Sequence, residues 1–171
     1  MDALRVYDYL LATRERLFDA VRPLPAEAYL RSFPFGLTTL GSTLTHLYTA
    51  EWYYFERMAS RHVPAYETWP IHDERPPAFA VLEAAWREQG TRVREVVAGE
   101  RDWARPIGWL GFPDDRGRRF HIKATVGDCF TQLILHEAHH RAQAMVMLRE
   151  LGRPLEDIDF NAIAFERTLA E

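Results

Sequence analysis

Four long segments of this chain repeat apolar residues at the spacing of an α-helix, and this periodicity constrains the fold more than any other feature. The first segment spans about residues 2–22 and is stopped by Pro23. The second starts at Thr38 or Thr39, either of which can cap a helix, and runs to about Arg61. A helix with one apolar face must bury that face against a neighbour. The pattern therefore predicts helices packed against one another.

The third and fourth segments have equally clear boundaries. The third follows Pro76–Pro77 and ends near Gly99. The fourth spans about residues 126–151 and closes at Gly152. A shorter final helix is expected from about residue 159 to residue 169. Four long helices with long connections are typical of an all-α four-helix bundle, whose core often holds a metal site.

The two long connections differ in kind. Residues 62–76 are rich in proline and aromatic residues and are expected to form a crossover between the second and third helices. Residues 100–125 contain a turn signal, Pro113–Gly117, between Ile107–Phe112 and Arg118–Ala124. This arrangement predicts a small β-hairpin directly before the last long helix.

Composition limits the classes of function. A chain of 171 residues fits a single domain over 1–171 with a sizeable core. The formal net charge of -4 gives no general attraction for nucleic acid. The lone cysteine, Cys129, excludes an internal disulfide framework and suits a reducing compartment. Because the sequence has neither a secretion signal nor an apolar run of about 18 residues, we expect a cytoplasmic protein without a membrane partner.

The clearest chemical signal is the run His136-Glu137-Ala138-His139-His140 in the fourth segment. His136 and His140 are four residues apart and about 40° apart around the helix, on or beside its apolar arc. His139 falls about 60° to the other side and is expected to flank the pair. Two imidazoles at this spacing can reach one metal ion, whereas without a metal each would need its own hydrogen-bond partner. A shared metal is therefore favoured.

The remaining ligand has to come from another helix, and two residues compete for this role. His46 lies in the middle of the second segment, but roughly 120° from the centre of its apolar stripe. Glu51 lies closer to that centre; it can bind the metal or accept a hydrogen bond from a tyrosine, an arginine or a ligand histidine. Glu137 is also within reach of the apolar side, where a buried carboxylate requires a partner.

A histidine followed by an acidic residue in the second segment, together with His-x-x-x-His-Arg-x-Gln in the fourth, resembles the DinB family of damage- and stress-associated bacterial proteins. Alanine stands where the family commonly has glycine, between the arginine and the glutamine. The resemblance implies a bundle of up-down-down-up order, a divalent metal on three histidines, and a homodimer. The residues that carry the resemblance are His46, Glu51, His136, His140, Arg141 and Gln143, and those that correspond to the metal ligands are His46, His136 and His140.

The resemblance also implies a chemistry. Three neutral imidazoles suit Zn²⁺, Ni²⁺ or Fe²⁺, with zinc favoured, and leave a position for water or substrate. Related proteins resemble S-transferases that use low-molecular-weight thiols such as bacillithiol or mycothiol, so the expected partner is a thiol or another small molecule. Glu51, Glu137 or His139 is expected to act as a base or to support a ligand, and the sequence does not choose among them.

Two alternatives stay open. The run from His136 to His140 matches the His-Glu-x-x-His motif of zinc hydrolases, with Glu137 as general base. Its best-known extension fails, because Gln143 and Val146 stand where glycine and histidine are required. The other alternative is a metal- or ligand-binding stress protein without catalytic activity.

Several nearby side chains have simpler interpretations. Cys129, seven residues before the first histidine of the pair, is expected to be a small buried apolar residue rather than a ligand or nucleophile. The aromatic cluster Trp52–Phe55 is expected in the core and at an interface; its alternatives are the wall of a pocket above the metal or a dimer seam. Trp103, Trp109 and Phe112 are candidates for a lid over such a pocket.

Overall fold

The four amphipathic segments form four long helices, which confirms the all-α prediction. The computed structural model describes residues 2–169. Two short helices and a two-stranded antiparallel sheet accompany the bundle. The elements in chain order are α1 (Ala3–Val21), α2 (Ala26–Tyr29), α3 (Leu40–Met58), α4 (Phe79–Gly99), β1 (Pro106–Leu110), β2 (His121–Thr125), α5 (Val126–Glu150) and α6 (Phe160–Ala164).

Ion pairs and hydrogen bonds between the long helices establish their directions. α1 runs antiparallel to α4, since early residues of one pair with late residues of the other, as in Asp8 with Arg94. α3 runs antiparallel to α5, because Thr43 contacts Met147 near the start of one helix and the end of the other. The crossover between α3 and α4 returns the chain to the end of the bundle at which α3 begins. α3 and α4 therefore run parallel to each other. The order is therefore up-down-down-up.

Side-chain caps fix where the long helices begin. Thr39, rather than Thr38, caps α3 by accepting a hydrogen bond from the backbone N–H of Ser42 at 2.9 Å. Thr125 and Asp128 form a reciprocal capping box at the start of α5. Each cap satisfies backbone donors that have no partner within the helix.

The end of α3 differs from the prediction. The helix stops at Met58, three residues before the expected Arg61. Ser60 adopts a left-handed conformation with φ 56°, and the N–H of Arg61 donates back to the carbonyl of Glu56 at 2.8 Å. Such a turn usually uses glycine, and a serine in its place gives no stop signal in the sequence.

The predicted hairpin is present, but the final helix is shorter than expected. β1 and β2 pair from Pro106 opposite Thr125 to Leu110 opposite His121. The last helix covers only Phe160–Ala164, where Phe160 packs edge-on against a tyrosine of α1. Beyond it the backbone is extended at Phe165, whose side chain is largely exposed, so no apolar face is buried to sustain another turn.

The core consists of two apolar clusters, one toward each end of the bundle, with a buried polar layer between them. The first cluster surrounds Phe18 and Trp86, and the second surrounds Tyr7 and Phe55. Among residues 2–169, no helix combines the length and the apolar character that crossing a membrane requires. The polar layer and the α3–α5 seam beside it contain most of the residues singled out by the sequence.

Candidate metal centre

Three imidazoles meet on the seam between α3 and α5. His46 comes from the middle of α3, and His136 and His140 come from successive turns of α5. One ring nitrogen of each histidine lies within 4.8 Å of the other two. Nε2 of His46 is 3.1 Å from Nε2 of His136. The structure therefore brings together the three histidines that the family resemblance pointed to.

His46 lies away from the apolar stripe of its helix because α3 is buried on two sides. One side of α3 faces α4, and the other faces α5. A helical wheel with a single stripe centre averages these two directions, so it favours Glu51 over His46. The antiparallel packing of α3 on α5 is what points the imidazole of His46 toward the pair on the facing helix.

Asp73, in the crossover between α3 and α4, holds the ring of His46. Its Oδ2 lies 2.5 Å from Nδ1 of His46, and its Oδ1 accepts a hydrogen bond from Thr49 at 2.8 Å. Because an ionised carboxylate can only accept, Nδ1 of His46 carries the proton and Nε2 keeps its lone pair. A carboxylate behind a histidine in this way orients the ring and raises its basicity as a metal ligand.

Gln143 plays the corresponding role for His140. Its amide oxygen lies 2.9 Å from Nδ1 of His140, which leaves Nε2 of that ring free. The amide nitrogen of the same side chain lies 3.1 Å from Nε2 of His139. His139 is exposed and does not join the three-histidine cluster, as the helical wheel predicted.

Burial and repulsion between neighbouring imidazoles disfavour the charged forms of His136 and His140. Burial lowers the pKa of His136 to about 4, with smaller contributions from the neighbouring histidines. Burial also lowers the pKa of His140, although its bond to Gln143 opposes the change. Neutral imidazoles are the form that binds metal, so these histidines need not release protons near neutral pH.

These three donors fit a first-row divalent metal. Two nitrogens bound at about 2.0–2.1 Å to one tetrahedral zinc are about 3.3 Å apart. The 3.1 Å between the Nε2 atoms of His46 and His136 is close to this spacing. Three protein ligands leave one position of a tetrahedron for an external group, which is the arrangement of catalytic zinc sites.

A cleft of about 350 Å³ opens beside His46 and His136. Its walls are aromatic, and they come from α3, from the crossover and from the hairpin connection. The aromatic residues that line it are Tyr53, Tyr54, Tyr66, Trp69 and Phe112. Tyr53 and Tyr54 belong to the aromatic cluster predicted for a pocket wall, and Phe112 is one of the predicted lid residues.

Glu51 is buried in the polar layer of the bundle. Its Oε1 accepts from Tyr7 at 2.8 Å and from Arg14 at 2.6 Å. Its Oε2 accepts from Trp86 at 2.8 Å and from Gln89 at 2.7 Å. Tyrosine and arginine donors are what the sequence suggested as one alternative for Glu51. These hydrogen bonds occupy both oxygens of the carboxylate.

Glu137 shares the same network. It accepts from Arg14 at 3.1 Å and lies 3.7 Å from Arg141, which also donates to Thr13 and Tyr9 of α1. Burial raises the pKa of Glu137, and Arg14 opposes that change. Burial disfavours the charge of Arg14, but the two carboxylates outweigh it and raise the pKa of the guanidinium. These contacts do not support a free base at the metal for either glutamate.

Cys129 lies in the apolar cluster around Tyr7 and is almost fully buried. Burial raises the pKa of its thiol to about 11, so it is protonated near neutral pH. Of the other predicted lid residues, Trp103 packs on Phe130, and Trp109 stacks against Arg57. Neither lines the cleft.

Sequence reasoning missed three residues of this site. Asp73, Tyr66 and Trp69 all lie in the crossover, which has no periodicity from which side-chain direction can be read. Only the run of aromatic residues and prolines marked this segment as unusual. The contribution of the crossover to the site depends on how this segment folds back over α3, which is a property of the tertiary structure.

Comparisons with known proteins agree with this fold. A search among curated proteins gave no significant sequence match. A crystal structure of a DinB-like protein from Bacillus cereus ATCC 10987 superposes with a TM-score of 0.58, at 19% sequence identity, over 87% of this chain and 94% of that one. The sequence profile of the DinB family matches residues 1–168. The chain is therefore a member of the DinB family.

Proposed function

We propose that the chain binds one divalent metal ion through Nε2 of His46, His136 and His140. The observation that carries this proposal is the convergence of three imidazoles from two helices, with one ring nitrogen of each within 4.8 Å of the others. Asp73 and Gln143 support it, because each occupies the far nitrogen of one ring and leaves the near nitrogen free. Zinc is the first choice, and nickel or iron would suit the same donors.

We further propose that the protein is a metal-dependent S-transferase that uses a low-molecular-weight thiol. A divalent ion held by three imidazoles supplies Lewis acidity and lowers the pKa of a thiol or water bound to it. The thiol sulfur forms a bond to an electrophilic carbon, the leaving group departs with its electron pair, and the thiol proton passes to solvent. The aromatic cleft lies beside His46 and His136 and positions the electrophile there.

The hydrolase alternative has less support. A general base of the His-Glu-x-x-His type must reach the water that attacks the substrate. Glu137 is 6% exposed and is held by Arg14 on the side of α5 that faces the polar layer. No comparable observation favours a peptidase, and the extended substrate of such an enzyme would not fit a cleft of about 350 Å³.

Thiol consumption tests the S-transferase proposal. The zinc-loaded protein is incubated with a low-molecular-weight thiol and a panel of small electrophiles, and the free thiol is followed colorimetrically. We expect consumption that depends on both metal and electrophile, and its loss in His140→Ala. The matched control is His139→Ala, which removes an exposed neighbouring histidine and should retain activity. A protein that binds zinc at these histidines but consumes no thiol would favour a non-catalytic metal-binding role.

The biological setting is part of the same proposal. We propose a stress-associated, cytoplasmic homodimer that does not engage nucleic acid. The family to which the chain belongs and the modest negative charge support these statements.

A further inference from the structure

The walls of the cleft form a continuous row of aromatic rings. The ring centroids of Tyr66 and Trp69 are 4.9 Å apart, and those of Trp69 and Phe112 are 6.0 Å apart. Phe112 lies 5.6 Å from Tyr53, which lies 5.2 Å from Tyr54. α3, the crossover and the hairpin connection therefore each contribute aromatic rings to the wall of one cleft, which lies beside the histidines.

Two polar groups at this cleft, the carboxylate of Asp73 and the hydroxyl of Tyr66, are already engaged within the protein. Asp73 is the one carboxylate among the residues that line it, and both of its oxygens are used by His46 and Thr49. The hydroxyl of Tyr66 donates to Glu74 at 2.9 Å. An anionic ligand group placed against the rings would lose its hydration and gain no counter-charge from the residues that line the cleft. The walls therefore select against anionic groups away from the metal position.

The cleft is also fixed in shape before any ligand binds. The indole N–H of Trp69 donates to the carbonyl of Pro64 at 3.1 Å. The backbone N–H of Asp73 donates to the hydroxyl of Tyr66 at 3.3 Å, and this hydrogen bond joins two parts of the crossover. Rigid aromatic side chains lose little conformational entropy on binding, so a preformed wall retains more of the interaction energy.

We propose that the ligand of this site carries a flat aromatic or conjugated body without an anionic group, with a metal-binding or reacting atom at one end. The flat body packs against the wall formed by Tyr53, Trp69 and Phe112, and the terminal atom faces His46 and His136. The volume of about 350 Å³ lies near the lower end of the range for small-molecule pockets, so the body is about one or two rings in size. This inference rests on the proposed metal site and adds the class of ligand.

Two hydroxamates with the same metal-binding head test the ligand class. Cobalt(II) is loaded in place of zinc, and changes in its visible absorption report binding of benzohydroxamate or acetohydroxamate. We expect benzohydroxamate to bind at least about tenfold more tightly, because only its ring can bury apolar area against the walls. Binding is read directly, so the result does not depend on turnover.

Cleft variants identify where the preference arises. In Phe112→Ala and Trp69→Ala the preference for benzohydroxamate should fall by about threefold or more, while the affinity for acetohydroxamate changes little. The matched control is Phe120→Ala, an exposed phenylalanine of the same hairpin connection that does not line the cleft. Circular dichroism and cobalt stoichiometry establish that each variant is folded and loaded.

The outcomes separate the two proposals. Equal affinity for both hydroxamates in the cobalt-loaded protein overturns the aromatic ligand class and leaves the metal site intact. An unchanged preference in both cleft variants also overturns it, because the selectivity would then lie elsewhere. A protein that binds no cobalt, or that binds it without responding to either hydroxamate, overturns the proposed open metal site and this inference with it.

Discussion

At the scale of single residues, the geometry of the candidate centre depends on groups that do not belong to the cluster itself. Asp73 fixes which nitrogen of His46 carries the proton, and Gln143 does the same for His140. A histidine with the wrong tautomer or a freely rotating ring is a poorer ligand. Asp73 and Gln143, which are not ligands themselves, therefore influence how tightly the three histidines bind a metal ion.

Replacement of Asp73 tests this dependence. In Asp73→Asn the shape is kept, but the charge that favours a proton on Nδ1 of His46 is lost. We expect zinc affinity to fall by about 10–100-fold, measured by competition with a chromophoric chelator. Glu74→Gln is the control, because Glu74 contacts Tyr66 and no histidine of the cluster. Equal affinity in the Asn variant and the wild type would contradict the positioning role.

Cys129 gives a second test at this scale. Because burial raises the pKa of its thiol to about 11, very little thiolate is present near neutral pH. We expect iodoacetamide to modify the folded protein much more slowly than the unfolded protein at pH 8, as measured by intact mass. Labelling of the folded protein as fast as a free thiol would instead indicate an accessible, reactive cysteine.

At the scale of helices and strands, periodicity predicted most of the fold, and packing determined the rest. Apolar spacing and caps predicted the four long helices, and a turn signal predicted the hairpin. The helical wheel of α5 separated His136 and His140 from His139, because this helix has one dominant buried side. The helical wheel of α3 placed Glu51 closer to its stripe centre than His46, since a single centre misrepresents a helix that packs on two neighbours. No local sequence pattern could identify Asp73 as part of the site.

The buried network around Glu51 joins three of the long helices. Glu51 of α3 accepts from α1 through Tyr7 and Arg14, and from α4 through Trp86 and Gln89. Without Glu51, the buried Arg14 keeps only Glu137 as a carboxylate partner, and three further buried donors lose their acceptor.

We therefore expect Glu51→Ala to lower the free energy of unfolding by about 3–5 kcal/mol, measured by urea denaturation. The control is Asp8→Asn, which breaks an exposed pair with Arg94 and should change the stability little. A loss for Glu51→Ala no larger than for the surface variant would mean that the network is not what holds these helices together.

At the scale of the whole molecule, α5 presents its inner side to the bundle and a strip to solvent that carries two exposed apolar side chains on either side of the exposed His139. Leu135 is 62% exposed and Val146 is 44% exposed. They are eleven residues apart, about three helical turns, and therefore share a face. A second copy of the chain is the partner we propose for this strip.

The dimer proposal predicts a change in mass with one substitution. We expect the wild type to have twice the mass of the chain in light scattering, and Leu135→Glu to shift it toward the monomer, because the new charge would be buried in the interface. Phe165→Glu, which places a charge at an exposed phenylalanine near the chain end, is the control. A monomeric wild type would exclude the homodimer.

The proposed chemistry of this protein depends on one metal ion that His46, His136 and His140 bind together. Elemental analysis of protein purified without added metal tests it most directly, with His46→Ala and His139→Ala measured in parallel. We predict close to one divalent ion per chain in the wild type and in His139→Ala, and almost none in His46→Ala. An equal metal content in all three proteins, or none in the wild type even after incubation with zinc, would contradict the claim.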